Sequence, residues 1–134
     1  MPRSRGCAPA PKSTAPVGVV GFCFGGGLTY GVACELDPAC AVAYYGVGVE
    51  LLAERIDEVT CPMLLQFGST DVFIPAESLE RLQAAAGAKP NMEIEVYDAW
   101  HAFDNPYAEW HAPEVAAPAW DRTAAFLAAQ LASS

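Results

Sequence analysis

The stretch that decides the fold is Val17 to Gly27, which reads VGVVGFCFGGG. It begins with a short, β-branched apolar run bounded by glycine, a pattern typical of a strand buried on both faces. The segment after this run places a glycine two residues before Cys23 and another two residues after it. A G-x-S-x-G pattern that follows a strand marks a nucleophile elbow, a sharp strand-to-helix turn that exposes its central side chain. The stretch therefore predicts a strand, a tight turn and a helix, with a thiol where the pattern usually has a hydroxyl.

The predicted position of Cys23 at the start of a helix favours nucleophilic chemistry. Backbone N–H groups at a helix N-terminus lack intrahelical partners and carry the positive end of the helix dipole, which favours a thiolate over a thiol. The amide N–H of Phe24 lies at the same helix end and is a candidate oxyanion donor. We expect Gly21 and Gly25 to be required because the turn leaves no room for a Cβ. A buried structural cysteine beside a glycine-rich turn is the alternative interpretation.

Length and composition indicate a single globular domain. The chain has 134 residues, and 53% of them are hydrophobic, which is sufficient for one packed core. The segment Met1 to Pro16 is rich in Pro, Ser and Ala without periodicity, so residues 1–16 are predicted to be a flexible tail. The domain is then expected to span residues 17–134.

The charge balance limits the possible partners. The net charge is −9, and three of the seven basic residues lie in the first twelve positions. An acidic surface of this kind repels phosphate backbones and anionic membranes, so we expect neither nucleic acid nor a membrane as a partner. No apolar run reaches the length of a membrane-spanning helix.

Cysteine usage points to a reducing compartment. The cysteines are five in number, and no two of them show C-x-x-C spacing: Cys7, Cys23, Cys34, Cys40 and Cys61. This argues against a disulfide framework and against a zinc site. The N-terminal segment has arginines but no apolar region of a secretory signal. We therefore expect a cytoplasmic protein.

Short strands and helices alternate along the rest of the chain. The predicted strands are 17–21, 40–45, 62–67 and 92–97, and the predicted helices are 26–36, 75–86 and 114–132. Residues 50–59 are expected to form one short helix or an irregular turn. Leu28 and Leu36 should face the core along the first helix, and Trp120 should do so along the last, which Pro118 should kink or begin. The alternation predicts an α/β protein with a parallel sheet between two layers of helices.

Three chemically related side chains each follow a predicted strand. Cys23 comes after the first strand, Asp71 after the third and His101 after the fourth. Because the carboxyl ends of parallel strands meet at one edge of the sheet, we expect these side chains to lie together. The order nucleophile, acid, histidine is that of the triad in α/β-hydrolases. Asp71 alone would be read as a turn aspartate, and His111, between Trp110 and Ala112, as part of a surface loop.

Four motifs in the same order resemble the dienelactone hydrolase (carboxymethylenebutenolidase) family. They are GFCFGG at 21–26, YYG at 44–46, PMLLQFG at 62–68 with Asp71 after it, and HAF at 101–103. The resemblance runs from about Val17 to the end of the chain. It implies an α/β-hydrolase fold and a hydrolase that opens an unsaturated lactone without a metal or cofactor, through a Cys-His-Asp triad.

The resemblance also implies roles for individual residues. Cys23 corresponds to the nucleophile, His101 to the general base and acid, and Asp71 to the orienting carboxylate. Tyr45 and Phe73 fall where members of the family line the substrate pocket. These residues would act on a small-molecule ester or lactone.

Two departures from the family pattern shape the expectation further. Members of the family bind the substrate carboxylate with arginines, one of them at the position of Asn105, and an amide cannot offer a charged bidentate fork. We therefore expect a neutral ester or lactone to be accepted. Members also have a long segment before the elbow, so the sequence predicts a domain truncated at its N-terminus, with Val17–Gly21 as an exposed apolar edge.

Two other functions remain open. The chain could be a weakly active or inactive half-domain that associates with another chain through the exposed sheet edge. It could also be a thiol redox or sensor protein built on Cys23, although no resolving cysteine lies nearby in sequence.

Overall fold

The computed structural model describes residues 14–132, and its strands form one parallel sheet. Strands β1 (Gly18–Phe22), β2 (Cys40–Tyr44), β3 (Met63–Gly68) and β4 (Met92–Tyr97) lie side by side in chain order. Every neighbouring pair of these strands is parallel. The predicted parallel sheet is therefore confirmed. Of the predicted tail 1–16, residues 1–13 lie outside the described part of the chain.

Helices cover both faces of the sheet. They are α1 (Phe24–Glu35), α2 (Val49–Arg55), α3 (Ala76–Gly87) and α4 (Pro113–Ala132), with a 3₁₀ turn at Ile56–Glu58. A Cβ at Gly21 would meet α1, whereas Tyr44 bonds to α4 through the Ala119 carbonyl and the Thr123 hydroxyl. Gly21 pairs with Ala43, the residue before Tyr44. Because successive residues of a strand point to opposite faces, a Cβ at Gly21 and the Tyr44 side chain lie on opposite faces of the sheet. The predicted three-layer α/β/α arrangement is confirmed.

The core is centred on the two inner strands. Every residue of β2 and β3 is buried, as expected for strands covered on both faces. The polar member of β3, Gln66, donates its amide to Thr123 Oγ1 at 2.7 Å and accepts a hydrogen bond from the Tyr97 hydroxyl at 2.6 Å. Leu79 and Leu82 of α3 are also buried.

The predicted core face of α1 was wrong. Leu28 and Leu36 are exposed, and the buried residues of the helix are instead Gly26, Thr29, Tyr30 and Ala33. The reason is the close approach of the helix to the loop after β2. A Cβ at Gly26 would lie 2.7 Å from the Cα atom of Gly46, so the glycine face of α1 meets the body of the protein.

The predictions for the last helix also need correction. Trp120 is exposed, and Ala119, Thr123 and Phe126 are the buried residues of α4. The helix begins at Pro113 and continues through Pro118, which is therefore not its start. A proline in the second turn removes only one hydrogen bond near the helix end, so the helix tolerates it. None of the helices in the described part of the chain is both long and apolar enough to cross a bilayer.

Strand β1 lies at one edge of the sheet. No described strand pairs with its outer side, since β2 is its neighbour on the inner side. Val17, Val20 and Phe22 are exposed along this edge. The edge therefore combines unpaired backbone groups with apolar side chains.

Candidate active site

Cys23 occupies the turn between β1 and α1 in a strained backbone conformation. Its φ is 56° and its ψ is −119°, in a region that residues with a Cβ rarely adopt. The turn is held by its backbone, because Cys23 N donates to Tyr44 O at 3.1 Å and Cys23 O accepts from Val47 N at 3.1 Å. Strand β1 ends one residue before Cys23 and helix α1 begins one residue after it. The structure thus has the sharp strand-to-helix turn that the glycine pattern predicts.

The glycines of this turn have different roles. A Cβ at Gly21 would lie 2.1 Å from the Gly25 carbonyl oxygen and 2.3 Å from Thr29 Oγ1, so this glycine is required. A Cβ at Gly25 would meet no atom within 4 Å, so the expectation for Gly25 was wrong. Two further glycines are required, because a Cβ at Gly26 would lie 2.7 Å from the Gly46 Cα atom and a Cβ at Gly27 would lie 2.2 Å from the Val47 carbonyl oxygen.

The structure brings the three predicted catalytic residues together. Nε2 of His101 lies 3.1 Å from Sγ of Cys23, and Nδ1 of the same imidazole lies 2.6 Å from Oδ2 of Asp71. His101 and Asp71 are buried, whereas Cys23 is half-buried. The thiol, the imidazole and the carboxylate therefore form a continuous chain of contacts that leads from the interior to the surface.

Asp71 makes the contacts of a turn aspartate and also contacts His101. Its Oδ1 accepts a hydrogen bond from Phe73 N at 2.8 Å, and its own backbone N donates to Gly68 O at 3.3 Å, as in an aspartate turn. The second carboxylate oxygen is left for His101. The turn fixes the carboxylate, and the carboxylate orients the imidazole.

Aromatic rings flank the imidazole of His101. The ring centroids of Tyr45 and Phe73 each lie 4.8 Å from that of His101, with interplanar angles of 61° and 68°. Tyr45 is only 2% exposed, whereas Phe73 is exposed beside the thiol–imidazole pair. The third residue predicted to bind substrate, Asn105, is exposed, and its side-chain oxygen accepts a hydrogen bond from Tyr107 N at 2.9 Å.

Phe24 is the first residue of α1. Its amide N–H therefore has no acceptor within the helix and lies directly after the thiol-bearing residue. The Phe24 side chain is exposed.

The described cysteines other than Cys23 are poorly suited to nucleophilic attack. Burial raises the pKa of the Cys34 and Cys40 thiols above their ordinary value, and it raises the pKa of Cys61 to about 11. Thiols of this kind stay protonated at neutral pH. Among the described residues, no group of three or more His, Cys, Asp or Glu side chains is arranged to hold a metal ion.

Three of the four cationic side chains in the described part of the chain form ion pairs with carboxylates. Arg55 pairs with Glu35 and Glu58, Lys89 with Asp57, and Arg122 with Glu93 and Glu95. Arg81 lies within α3. None of these cations donates a recorded hydrogen bond to the triad residues or to the aromatic rings beside them.

One acidic residue near the site was missed by the sequence analysis. The Tyr45 hydroxyl donates a hydrogen bond to Oδ1 of Asp104, across 59 positions of the chain. No local pattern connects these two residues, and only the fold brings them together.

His111, interpreted as part of a surface loop, is half-buried in an open groove that also contains Phe22 and Trp120.

The sequence of the chain is similar to that of one known protein family. The model of the dienelactone hydrolase family matches residues 7–131. The carboxymethylenebutenolidase of Pseudomonas putida is 37% identical over 119 residues, which are 88% of this chain and 50% of that protein. The enzyme of the same name from Pseudomonas sp. strain P51 is 37% identical over 116 residues, 87% of this chain and 49% of that protein. The chain thus spans about half the length of the curated relatives it matches.

Solved structures show the same fold. A candidate dienelactone hydrolase from Klebsiella pneumoniae superposes with a TM-score of 0.71 at 31% identity, covering 83% of this chain and 51% of that one. An esterase from Pyrococcus furiosus superposes with a TM-score of 0.67 at 19% identity, covering 85% and 53%, and shows likeness of fold alone. The architecture is that of α/β-hydrolases. On the family match and the identity to its curated relatives, the chain belongs to the dienelactone hydrolase family.

Proposed function

We propose that this chain hydrolyses an ester or lactone through Cys23, His101 and Asp71. The observation that carries the proposal is the pair of contacts made by the His101 imidazole, 3.1 Å to the thiol and 2.6 Å to the carboxylate. A nucleophile in contact with a base that is itself oriented by an acid is the arrangement needed for covalent catalysis. The family membership of the chain supports the same reaction class.

In the first half of the proposed reaction, Cys23 Sγ attacks the carbonyl carbon and its proton passes to His101 Nε2. The carbonyl oxygen becomes an oxyanion at the positive end of α1, where the amide N–H of Phe24 donates to it. The C–O bond to the leaving alcohol then breaks, and His101 returns the proton to the alkoxide. The product is a thioester on Cys23; in a lactone, the alcohol stays tethered to it.

In the second half, His101 takes a proton from water, and the resulting hydroxide attacks the thioester carbonyl. The C–S bond breaks, and the thiolate regains a proton from His101 as the acid is released. Throughout, Asp71 Oδ2 accepts a hydrogen bond from Nδ1–H of His101, which leaves Nε2 facing the sulfur.

We propose a neutral ester or lactone as the preferred substrate. The observations that support this are the exposed Asn105 side chain near the site and the apolar Phe73 ring beside His101. The described cations are engaged in ion pairs elsewhere or lie within α3. A substrate carboxylate would find no charge-assisted partner among these residues, whereas an apolar acyl or aryl group would meet an aromatic ring.

The test is hydrolysis of p-nitrophenyl acetate by the purified chain. Wild-type protein should release p-nitrophenol, Cys23→Ala should release it at the background rate, and Asp71→Asn should lose about 10⁴ in kcat. Cys34→Ala is the matched control, since it removes a half-buried thiol outside the site, and it should keep its activity. Undiminished turnover by Cys23→Ala would refute the proposal.

A second candidate function is supported by the β1 edge. We propose that β1 pairs with β1 of a second copy of the chain, and that the isolated chain is weakly active. Val20 and Phe22 are exposed beside unpaired backbone, which favours strand addition.

Val20→Lys should then shift sedimentation toward the monomer. Val47→Lys is the matched control, because Val20 is 37% and Val47 38% exposed, yet Val47 lies in the loop after β2. A wild-type monomer at all concentrations would exclude this association.

A further inference from the structure

Tyr45 is held in an unusual conformation at the end of β2. Its φ is 34°, in the left-handed region, although it carries a bulky side chain. Its backbone N donates to Gln66 O at 2.6 Å, and the residue is 2% exposed. A strained, buried residue next to a reactive group persists only where its surroundings hold it, and such residues concentrate at functional sites.

The Tyr45 side chain contacts both ends of the turn that carries the histidine. Its ring packs edge-on against the His101 imidazole, with 4.8 Å between centroids, and its hydroxyl donates to Oδ1 of Asp104. His101 and Asp104 lie three residues apart on a tight turn, in which Ala102 has a φ of 57° and Asn105 N donates to Ala102 O at 3.1 Å. The Tyr45 side chain thus links both ends of this turn to the end of β2.

The two aromatic neighbours of the imidazole differ in burial. Phe73 is exposed, whereas Tyr45 is 2% exposed. Tyr45 also contacts Phe103, with 5.4 Å between ring centroids, and its hydroxyl donates a hydrogen bond to Asp104. Tyr45 is therefore the more enclosed of the two rings that contact the imidazole.

We propose that Asp104 is a positioning residue, which holds the Tyr45 hydroxyl so that the Tyr45 ring keeps His101 Nε2 directed at Cys23. The effect of this positioning on catalysis rests on the proposed function, whereas the positioning itself does not. Neither residue is required to touch the substrate. Burial raises the pKa of Tyr45, and the hydrogen bond to Asp104 raises it further. The phenol therefore remains the donor and the carboxylate the acceptor.

A double-mutant cycle tests whether the two residues act through one bond. Tyr45→Phe and Asp104→Ala should each lower kcat by about 10-fold to 100-fold with little change in KM, because the imidazole is misplaced while substrate contacts remain. The double variant should be no slower than either single variant. Asp104→Asn should stay close to wild type, because its amide oxygen still accepts the hydrogen bond. Tyr107→Phe, which changes a tyrosine that is 96% exposed, is the control.

A second readout does not depend on turnover. In wild-type protein, the Nδ1 proton of His101 should give a downfield proton resonance, because it is held in the 2.6 Å hydrogen bond to Asp71. His111→Gln identifies the signal, since His101 and His111 are the two histidines of the chain. The resonance should broaden or vanish in Tyr45→Phe and in Asp104→Ala, and persist in Asp104→Asn.

The two readouts separate the possible failures. A wild-type chain without esterase activity refutes the proposed function, whereas the resonance still tests the positioning role. An unchanged resonance in folded Asp104→Ala would overturn the inference, as would additive effects in the double variant or an effect on KM alone. Asp104→Asn behaving like Asp104→Ala would also overturn it, because charge rather than the hydrogen bond would then matter. Circular dichroism checks folding, and Asp104→Ala, at a half-buried position, serves if Tyr45→Phe does not fold.

Discussion

The sulfur of Cys23 and Nε2 of His101 lie 3.1 Å apart, although the two residues are separated by 78 positions in the chain. The contact is made because β1 and β4 are parallel strands of one sheet, so the loops at their carboxyl ends meet at the same edge. The histidine reaches across the ends of the intervening strands, and Asp71, which follows β3, supports it on the way. The parallel topology thus brings the thiol and the imidazole to the same end of the sheet.

Cys23 should be alkylated by iodoacetamide faster than the other described cysteines. The pKa values of Cys34, Cys40 and Cys61 are raised by burial, that of Cys61 to about 11, so little thiolate forms on them near neutral pH. Peptide mass spectrometry after limited labelling checks the order. Cys7 lies outside the described residues. Faster labelling of Cys34 or Cys61 would contradict the assignment of Cys23.

Gly21→Ala should destabilise the protein far more than Gly25→Ala. The new Cβ at Gly21 would lie 2.1 Å from a backbone oxygen, whereas at Gly25 it would meet nothing within 4 Å. Overpacking against backbone costs about 1–3 kcal/mol or more. Alanine within a helix, in contrast, stabilises by about 0.5–1 kcal/mol relative to glycine. Urea unfolding midpoints of the two variants measure the difference, and equal midpoints would argue against the close approach at Gly21.

Asn105→Arg should shift the substrate preference toward anionic esters. A well-placed guanidinium gains about 1.5–3 kcal/mol from a charge-assisted hydrogen bond to a carboxylate. Competition between a neutral and a carboxylate-bearing aryl ester, expressed as the ratio of kcat/KM values, measures the shift. Tyr107→Arg places the same charge at an exposed position two residues away and controls for net charge. A strong preference of the wild-type chain for the anion would show that another group binds the carboxylate.

The protein should lose stability as the pH rises above about 9. Burial raises the pKa of Cys61 from 9.0 to about 11 and also raises the pKa values of Tyr30 and Tyr45. These groups hold protons in the folded state that the unfolded chain releases, so the stability they contribute is present at lower pH and is lost as the pH rises through their folded pKa values. Urea unfolding at pH 8, 9, 10 and 11 should give a falling free energy of unfolding, and a shallower fall in Cys61→Ala. A free energy of unfolding that does not change over this pH range would show that folding does not raise the pKa values of these groups.

The sequence predicts those parts of the site that depend on local pattern. The glycines around Cys23 indicate the elbow, and the positions of Asp71 and His101 after predicted strands indicate that they share its edge of the sheet. The face of α1 could not be predicted in this way, because hydrophobic periodicity places Leu28 inside, whereas the close approach of Gly26 to Gly46 turns it outward. Side-chain spacing carries no information about which helix face can come nearest.

The partner of Tyr45 was unpredictable for a different reason. Its hydrogen bond to Asp104 joins two loops that are 59 positions apart, and neither residue shows a local signature of the contact. For Gly25 the local pattern was misleading. Its place in the elbow pattern suggested that a Cβ would not fit, whereas a Cβ there would meet no atom within 4 Å. Contacts between loops depend on the assembled sheet, and local sequence does not encode them.

The central claim, that Cys23 is the acylated nucleophile, is tested most directly by trapping the intermediate. The chain is mixed with excess p-nitrophenyl acetate, quenched with acid within the first turnover, and digested for peptide mass spectrometry. We predict an acetyl group on the peptide that contains Cys23, absent in Cys23→Ala and slower to form in His101→Ala. Acetylation confined to another residue, or p-nitrophenol release by Cys23→Ala at the wild-type rate, would contradict the mechanism.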